Sequence, residues 1–206
     1  MNNISNKDTI IFDFDGVLYD SLSLVKEDMY MKYPNLKESD FLKIFENDFW
    51  DGVKRIKDLY GEPNHSNEST VKIKGNLFIG IPELINNLKN RYNLTINSSS
   101  KIDNILNPLT RSKIDDCFIA IYGKESGVNK IEKFKKIFYD KKIKPEKVVF
   151  ITDSIGDIKD AAVLNIDTLA ITWGIHKESD FKKLGLNNII GIINTIPELE
   201  KILTKK

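Results

Sequence analysis

Strand-like and helical segments alternate along most of this chain, and that alternation limits its fold more than any other feature. The first segment, Thr9–Phe12, is a short apolar run of the kind that forms a buried parallel strand. Four further strands are predicted at residues 94–96, 117–122, 148–151 and 168–172. Helical periodicity predicts helices at residues 83–92, 128–139, 155–164 and 196–203. Alternating strands and helices predict an α/β fold, a doubly wound, Rossmann-like parallel sheet with helices on both faces.

One segment interrupts the alternation. Between residues 21 and 61 no strand is predicted, and apolar residues instead recur three and four positions apart, as in Leu22, Val25 and Met29. Residues 61–76, which include Pro63, Asn64, Ser66 and Asn67, are predicted to form a loop. An insertion of this length is too long for an ordinary crossover. It predicts a small helical cap domain, residues 21–80, on a core domain formed by residues 1–20 and 81–206.

The charge balance and the scarcity of cysteine exclude several classes of function. The 206 residues include 31 basic and 30 acidic side chains, and a net charge of +1 indicates neither nucleic acid nor an anionic membrane as a partner. The single cysteine, Cys117, rules out a disulfide within the chain and a cysteine-rich zinc site. Its apolar neighbours predict a buried small hydrophobe rather than a reactive thiol.

No targeting or membrane-spanning segment is predicted. The polar first residues lack the apolar stretch of a signal peptide. No window reaches the ~18 to 20 uninterrupted apolar residues that a spanning helix needs. We therefore expect a cytoplasmic protein, and the sequence leaves monomer and homodimer open.

Polar residues follow three of the predicted strands at the point where each strand ends. Asp13 and Asp15 come directly after the first strand, Ser98 follows the second, and Asp153 follows the run that ends at Ile151. In an open parallel sheet, ligands bind beyond the carboxyl ends of the strands. We therefore expect these residues to converge at one edge of the sheet.

The acids in this set have the properties of a metal and phosphate site. Asp13 and Asp15 point the same way in an extended segment, because residues i and i+2 share one side. Two carboxylates at such a short distance repel each other unless a cation or a proton lies between them. Mg²⁺ prefers oxygen ligands of this kind. Asp153 and Asp157, four residues apart where a helix begins, add two more acids. An aspartate can also attack phosphorus as a nucleophile, while a second acid protonates the leaving alcohol.

Each of these residues also has an ordinary structural explanation. Two acids at a strand end can begin a turn, and serines 98–100 can form a loop or a helix N-cap. Asp153 and Asp157 can cap and begin a helix. Lys130 lies in a lysine-rich segment, residues 124–147, that by default is a solvated basic face. The order and placement of the residues together favour a catalytic site.

These motifs, and their order along the chain, resemble those of the haloacid dehalogenase-like hydrolases. The resemblance covers nearly the whole chain. The stretch IIFDFDGVLYDS is similar to the family's first motif. It implies Asp13 as the nucleophile and Asp15 as the general acid and base, with the main-chain carbonyl of Asp15 on the metal. LTINSSS resembles the second motif, which implies that Ser98 hydrogen-bonds the substrate phosphate and that Ser99 supplies a main-chain N–H.

The other two motifs have counterparts as well. The lysine that steadies the phosphate is matched by Lys130, in GVNKIEKF, with Lys124 as the competing choice. ITDSIGD is similar to the paired acids of the fourth motif, which implies that Asp153 binds the metal and Asp157 supports it. Many family members have glycine where this chain has Thr152, a departure that removes no ligand. The implied Mg²⁺ ligands are Asp13, Asp15 and Asp153.

The resemblance implies a substrate class and leaves two alternatives. A cap between the first and second motifs is like that of the subgroup with phosphoglycolate phosphatases, beta-phosphoglucomutases and pyrimidine nucleotidases. TWGIHKESDF, residues 172–181, is reminiscent of phosphoglycolate phosphatase-like members. Dehalogenases generally lack an acid at the position of Asp15, so a magnesium-dependent phosphatase acting on a small phosphorylated metabolite is expected. The alternatives are a phosphosugar mutase and a non-catalytic phosphate- or metal-binding relative. A response-regulator receiver domain is shorter and has no cap.

Overall fold

A six-stranded sheet lies at the centre of the computed structural model, which describes residues 4–64 and 75–205. Along the chain the strands are β1 Thr9–Phe12, β2 Asn93–Asn97, β3 Phe118–Tyr122, β4 Val148–Thr152, β5 Asp167–Ile171 and β6 Ile189–Ile193. Their order across the sheet is β3-β2-β1-β4-β5-β6, and every neighbouring pair is parallel. This order grows outward from β1 in both directions, as in doubly wound sheets, and the predicted fold class is confirmed.

Helices connect the strands and form the insertion after β1. In the described ranges the α-helices are α1 Leu22–Lys32, α2 Glu38–Leu42, α3 Phe49–Tyr60, α4 Ile81–Leu88, α5 Ile102–Arg111, α6 Lys130–Lys141, α7 Ile155–Val163, α8 Glu178–Leu184 and α9 Ile196–Thr204. None of the helices in residues 4–64 and 75–205 is both long enough and apolar enough to span a bilayer.

Helices cover both faces of the sheet because alternate residues of each strand point to opposite sides. On one face, Ile10 and Phe12 of β1 belong to a buried cluster with residues of α4, α5 and α9. On the other face, Ile11 packs in a second cluster with Phe134 of α6 and Ala161 of α7. Burying a large apolar side chain of this kind stabilises a fold by about 1.5–3 kcal/mol.

The sequence pattern does not predict three of the observed elements. Gly191 interrupts the apolar run of β6, and a glycine weakens the strand signal. Helix α5 contains Pro108, which sequence patterns treat as a helix breaker. Helix α8 spans only seven residues. Strand β3 begins one residue later than predicted, because Cys117 ends a short 3₁₀ turn, and the prediction that Cys117 is buried is confirmed.

Helices α1 to α3 pack on an apolar cluster of their own, separate from the clusters that flank the sheet. Met29, Phe41 and Ile56, one from each helix, are buried there together with Tyr33. The predicted domain limits, 1–20 and 81–206 for the core and 21–80 for the cap, stay a prediction. Residues 65–74 of the predicted loop lie outside the described residues.

The chain crosses between this cluster and the sheet through two segments that pair with each other. The N–H of Asp20 donates to the carbonyl of Asn76 at 2.9 Å, and the N–H of Phe78 donates to the carbonyl of Leu18 at 3.0 Å. Both crossings therefore lie side by side, just beyond the end of β1.

Candidate active site

The carboxyl ends of β1, β2 and β4 bring together three residues that are far apart in the sequence. Strand β1 pairs with β2 on one side and with β4 on the other. Asp13, Ser98 and Asp153 follow these strands and therefore emerge at the same edge of the sheet. All three residues are buried, with exposed fractions of 7%, 0% and 4%.

A buried lysine holds the Asp13 carboxylate. Lys130, the first residue of α6, places its Nζ 2.8 Å from Asp13 Oδ1. The same oxygen accepts the main-chain N–H of Phe14 at 2.8 Å. No described residue donates a hydrogen bond to Oδ2, so this oxygen keeps its lone pairs for another partner. The Lys130 side chain is only 5% exposed, and low local dielectric strengthens such a charge-assisted bond.

Lys130 also binds Asp157, and the Thr152 hydroxyl donates to the same Asp157 carboxylate. The lysine Nζ lies 2.5 Å from Asp157 Oδ2, which also accepts the Thr152 hydroxyl at 2.7 Å. The Thr152 oxygen in turn accepts the main-chain N–H of Ser154 at 3.1 Å. Thr152 therefore ties the loop between β4 and α7 to Asp157.

The loop after β2 supplies two serine hydroxyl groups with different partners. Ser98 Oγ accepts the main-chain N–H of Ser100 at 3.0 Å. Ser100 Oγ donates to Asp15 Oδ2, while Ser99 between them is half-buried. The three serines look alike in the sequence, and only the turn of the loop separates them. Ser100 is therefore a neighbour of Asp15 that sequence reasoning missed.

Two glycines make room for the carboxylate of Asp153. A Cβ atom at Gly16 would lie 2.1 Å from Asp153 Oδ2, and one at Gly174 would lie 2.0 Å from the same oxygen. Gly16 also has a φ of +77°, in the left-handed region that favours glycine. The main-chain N–H of Ile175 donates to Asp153 Oδ2 at 2.8 Å. Any larger residue at either glycine would displace this carboxylate.

Buried negative charge exceeds what the bound lysine neutralises. Burial raises the pKa of Asp13 well above its ordinary value; Lys130 opposes this shift, and Asp157 and Asp153 add to it. Burial also raises the pKa of Asp153 to about 7, with the N–H of Ile175 opposing and Asp157 adding. Burial by itself lowers the pKa of Lys130, but Asp13 and Asp157 raise it above its ordinary value. Carboxylates that repel one another in this way favour a divalent cation.

The oxygen atoms at this edge of the sheet fit Mg²⁺, although side chains alone would not fill all of its ligand positions. Among residues 4–64 and 75–205, no three His, Cys, Asp or Glu side chains are grouped as ligands of one ion. The predicted set needs only two carboxylates, Asp13 and Asp153, with the main-chain carbonyl of Asp15. Mg²⁺ is typically bound by one or two carboxylates and keeps its other positions for water and substrate phosphate.

A second buried lysine, Lys133, is a neighbour of the site that the sequence does not single out. Its Nζ donates to the carbonyl of Ser98 at 2.5 Å, and the residue is 2% exposed. Burial lowers its pKa to about 8, and the charge of Lys130 adds to this effect. The two lysines are three positions apart on α6 and so face the same side. That spacing is the signal by which Lys133 could have been found.

Lys133 is expected to make stability depend on pH in magnesium-free buffer. Above a pH of about 8 the folded protein has released the Lys133 proton, whereas the unfolded chain keeps it up to a pKa of 10.5. Because the unfolded state then binds more protons, the free energy of unfolding rises with pH across this interval.

Urea titrations across the interval should show this rise for the wild type relative to Lys133→Met. Lys135→Met, which changes an exposed lysine of the same helix, should retain it. Equal slopes for the wild type and Lys133→Met would contradict the prediction.

Lys124, the competing candidate for the phosphate-binding lysine, lies against the inserted helices. Its ammonium group lies 3.6 Å from the centroid of the Trp50 ring, near the start of α3. A cation over an aromatic face is attracted by about 0.5–2 kcal/mol, depending on solvent exposure. Of the two lysines, Lys130 is the one that is bonded to Asp13.

Comparison with known families agrees with this architecture. A doubly wound parallel sheet with buried acids and a lysine at its carboxyl edge defines a class of α/β enzymes. The family model of haloacid dehalogenase-like hydrolases matches residues 10–171, a range that contains Asp13, Ser98, Lys130 and Asp153. The chain therefore belongs to the haloacid dehalogenase-like hydrolases. No curated protein matches it in sequence.

Solved structures share the fold over nearly the whole chain. A haloacid dehalogenase-like hydrolase from Streptococcus pneumoniae is 20% identical with a TM-score of 0.73, covering 96% of this chain and 98% of its own. A predicted phosphoglycolate phosphatase from Haemophilus somnus is 18% identical with a TM-score of 0.72, covering 97% and 99%. A hydrolase from Pseudomonas syringae is 16% identical with a TM-score of 0.77, covering 96% and 98%. At these identities the likeness is one of fold.

Proposed function

We propose that this hydrolase is a magnesium-dependent phosphatase that hydrolyses a small phosphomonoester through an aspartyl-phosphate on Asp13. The observation that carries the proposal is the bonding of Asp13, whose buried carboxylate is held through Oδ1 by Lys130 and the Phe14 N–H. A carboxylate fixed in this way, beside a cation that offsets the charge of an incoming phosphate, is a preorganised nucleophile. The structure from Haemophilus somnus that shares this fold is described as a predicted phosphoglycolate phosphatase, which supports the same reaction class.

In the first step, a carboxylate oxygen of Asp13 forms a bond to phosphorus while the bond from phosphorus to the ester oxygen breaks. The leaving alkoxide takes a proton from the carboxylic acid of Asp15. Ser100 fixes the orientation of Asp15 through the hydrogen bond from its hydroxyl group. A positioned acid of this kind typically contributes about 100-fold to 10,000-fold to the rate.

In the second step, the Asp15 carboxylate takes a proton from a water molecule as the water oxygen bonds to phosphorus. The bond from phosphorus to the Asp13 oxygen breaks, and inorganic phosphate and the free Asp13 carboxylate are formed. Asp15 thus serves as acid in one step and base in the other, and its net proton balance is zero.

The phosphate group is bound by residues that follow the carboxyl end of β2 and by the first residue of α6. Ser98 and the main-chain N–H of Ser99 are the proposed hydrogen-bond donors, and Lys130 supplies positive charge. Lys133 donates a hydrogen bond to the Ser98 carbonyl and so fixes the loop that follows β2. Lys130 is also bonded to Asp157, whose carboxylate accepts the Thr152 hydroxyl.

Mg²⁺ is the proposed cofactor, held by Asp13, Asp153 and the main-chain carbonyl of Asp15. A bound cation offsets the repulsion between the nucleophile and the phosphate oxygens, and this effect is worth several kcal/mol. Residues 21–80 are the proposed cap, which would exclude water and select the alcohol part of the substrate. Lys124 and Trp50 form one of its contacts with the core.

We expect the purified protein to release inorganic phosphate from at least one member of a panel of phosphorylated metabolites with Mg²⁺ present. The panel contains phosphoglycolate, hexose phosphates and nucleoside monophosphates, with p-nitrophenyl phosphate as a general substrate. Chelation by EDTA should lower turnover at least about 100-fold, because the cation supplies several kcal/mol, and Mg²⁺ in excess over EDTA should restore it. Release from no member would overturn the phosphatase proposal, and full activity in EDTA would overturn its metal dependence.

A further inference from the structure

The segment after β5 packs directly on the loop that carries Asp153. It comprises residues 172–176, the start of the TWGIHKESDF stretch, and the proposed reaction uses none of its residues. Its side chains also reach the inserted helices, because Ile175 packs against the apolar cluster of α1 to α3. The segment therefore lies between the cap and the Asp153 loop.

Main-chain groups of this segment bind Asp153 at two points. The N–H of Ile175 donates to Asp153 Oδ2 at 2.8 Å, and the N–H of His176 donates to the Asp153 carbonyl at 3.3 Å. Gly174 permits this approach, since a Cβ there would lie 2.0 Å from Asp153 Oδ2 and 2.4 Å from its Cβ. The carboxylate is thus held in one place by the backbone of a distant strand end.

The ring of His176 joins the two ends of the Asp153 loop. Its Nδ1 lies 3.2 Å from the Asp153 carbonyl oxygen and 3.3 Å from the Ile155 main-chain nitrogen. With a proton on Nδ1 the ring donates to the carbonyl, and without one it accepts the Ile155 N–H. In both tautomers the ring ties residue 176 to the loop, and the residue is 7% exposed.

We propose that His176 is a positioning residue that holds Asp153 in the orientation needed to bind the divalent cation. The inference rests on the proposed function, in which Asp153 is a metal ligand. Residues that orient metal ligands typically change metal affinity or activity about 10-fold to 100-fold when they are replaced. In this proposal His176 acts through Asp153 and not directly on the substrate or the cation.

The competing explanation is that His176 only fills the core. The ring packs against Phe181 of α8, with a centroid distance of 6.1 Å. A purely structural role predicts lower stability with unchanged Mg²⁺ affinity in the folded protein. A positioning role predicts weaker Mg²⁺ binding even where the variant is fully folded.

The experiment measures Mg²⁺ affinity by titration calorimetry without substrate, together with urea unfolding, for His176→Leu and His176→Asn. Leucine keeps an apolar side chain against Phe181 but has no group to replace Nδ1. Asparagine places an amide group near the position of Nδ1. We expect His176→Leu to bind Mg²⁺ at least about 10-fold more weakly, and His176→Asn to recover part of the loss. Mg²⁺ affinity equal to wild type in folded His176→Leu would overturn the inference.

Asp153→Asn separates failure of this inference from failure of the proposed function. If Asp153→Asn binds Mg²⁺ as well as wild type, the metal site itself is misassigned. If Asp153→Asn loses affinity while His176→Leu keeps it, the function stands and only the role of His176 is wrong.

Gly174→Ala keeps the inference falsifiable should His176→Leu fail to fold. The added methyl group meets the Asp153 carboxylate, so we expect a loss of Mg²⁺ affinity similar to that of His176→Leu. Gly191→Ala, in the edge strand β6, is the matched control, because its Cβ would meet two apolar side chains, Leu169 at 3.0 Å and Ile193 at 3.7 Å, and no atom of Asp153. The control should keep wild-type affinity, and equal affinity in both glycine variants would contradict a positioning role for this segment.

Discussion

Asp13→Asn should lower phosphatase turnover at least about 10,000-fold, because removing a nucleophile removes the whole covalent pathway. The asparagine side chain has nearly the shape of aspartate, and its carbonyl oxygen can still accept the Phe14 N–H. Its amide cannot form a stable bond to phosphorus. Because the substitution keeps the shape of the side chain and its contact with Phe14, we expect the variant to fold.

The measurement is the initial rate of phosphate release by the purified variant, with circular dichroism and urea unfolding to confirm that it is folded. Asp103→Asn makes the same chemical change at an exposed position in the first turn of α5 and should retain wild-type turnover. Hydrolysis by folded Asp13→Asn above the expected residual level would remove Asp13 as the nucleophile.

Asp15→Asn should slow turnover about 100-fold to 10,000-fold, the usual range for a general acid or base, and leave Mg²⁺ affinity largely intact. The metal contact proposed for this residue is its main-chain carbonyl, which the substitution keeps. The asparagine carbonyl oxygen can still accept the Ser100 hydroxyl, so the side chain should keep its place.

The loss of turnover in Asp15→Asn should depend on the leaving group of the substrate. An alkyl phosphate needs a proton on the departing oxygen, whereas p-nitrophenolate leaves readily without one. The loss of turnover in Asp15→Asn should therefore be larger for an alkyl phosphate than for p-nitrophenyl phosphate. An equal loss for both substrates would argue against an acid role in the first step, and a collapse of Mg²⁺ affinity would place the Asp15 carboxylate on the metal.

Much of the fold follows from local sequence patterns because parallel strands buried on both faces read as apolar runs. Five of the six strands carry that signal, and their alternation with helices fixes the doubly wound architecture. Strand β6 lacks it, because Gly191 divides its apolar run at the sheet edge. Helix α5 ends close to Pro108, and helix α8 is too short for a clear period. These elements are fixed by packing on the sheet rather than by local preference.

The predicted site residues share one property: each follows a strand or begins a helix at the same edge of the sheet. That is why Asp13, Ser98 and Asp153 could be proposed together from the sequence, whereas Lys130 was implied by the resemblance to the haloacid dehalogenase-like hydrolases. The contacts that orient them could not be predicted. Those made by Lys133, Thr152 and His176 depend on the direction of buried side chains on separate elements. Side-chain direction between distant segments leaves no periodic signal in a single sequence.

Trapping the covalent intermediate tests the central proposal most directly. The protein is quenched in acid during turnover of a phosphomonoester with Mg²⁺, treated with borohydride and digested for mass spectrometry. Borohydride reduces an acyl phosphate but not a free carboxylate, so we expect homoserine at position 13 and nowhere else, and unmodified peptide when substrate is omitted. Reduction at another aspartate, or an unmodified position 13 despite rapid turnover, would contradict phosphoryl transfer to Asp13.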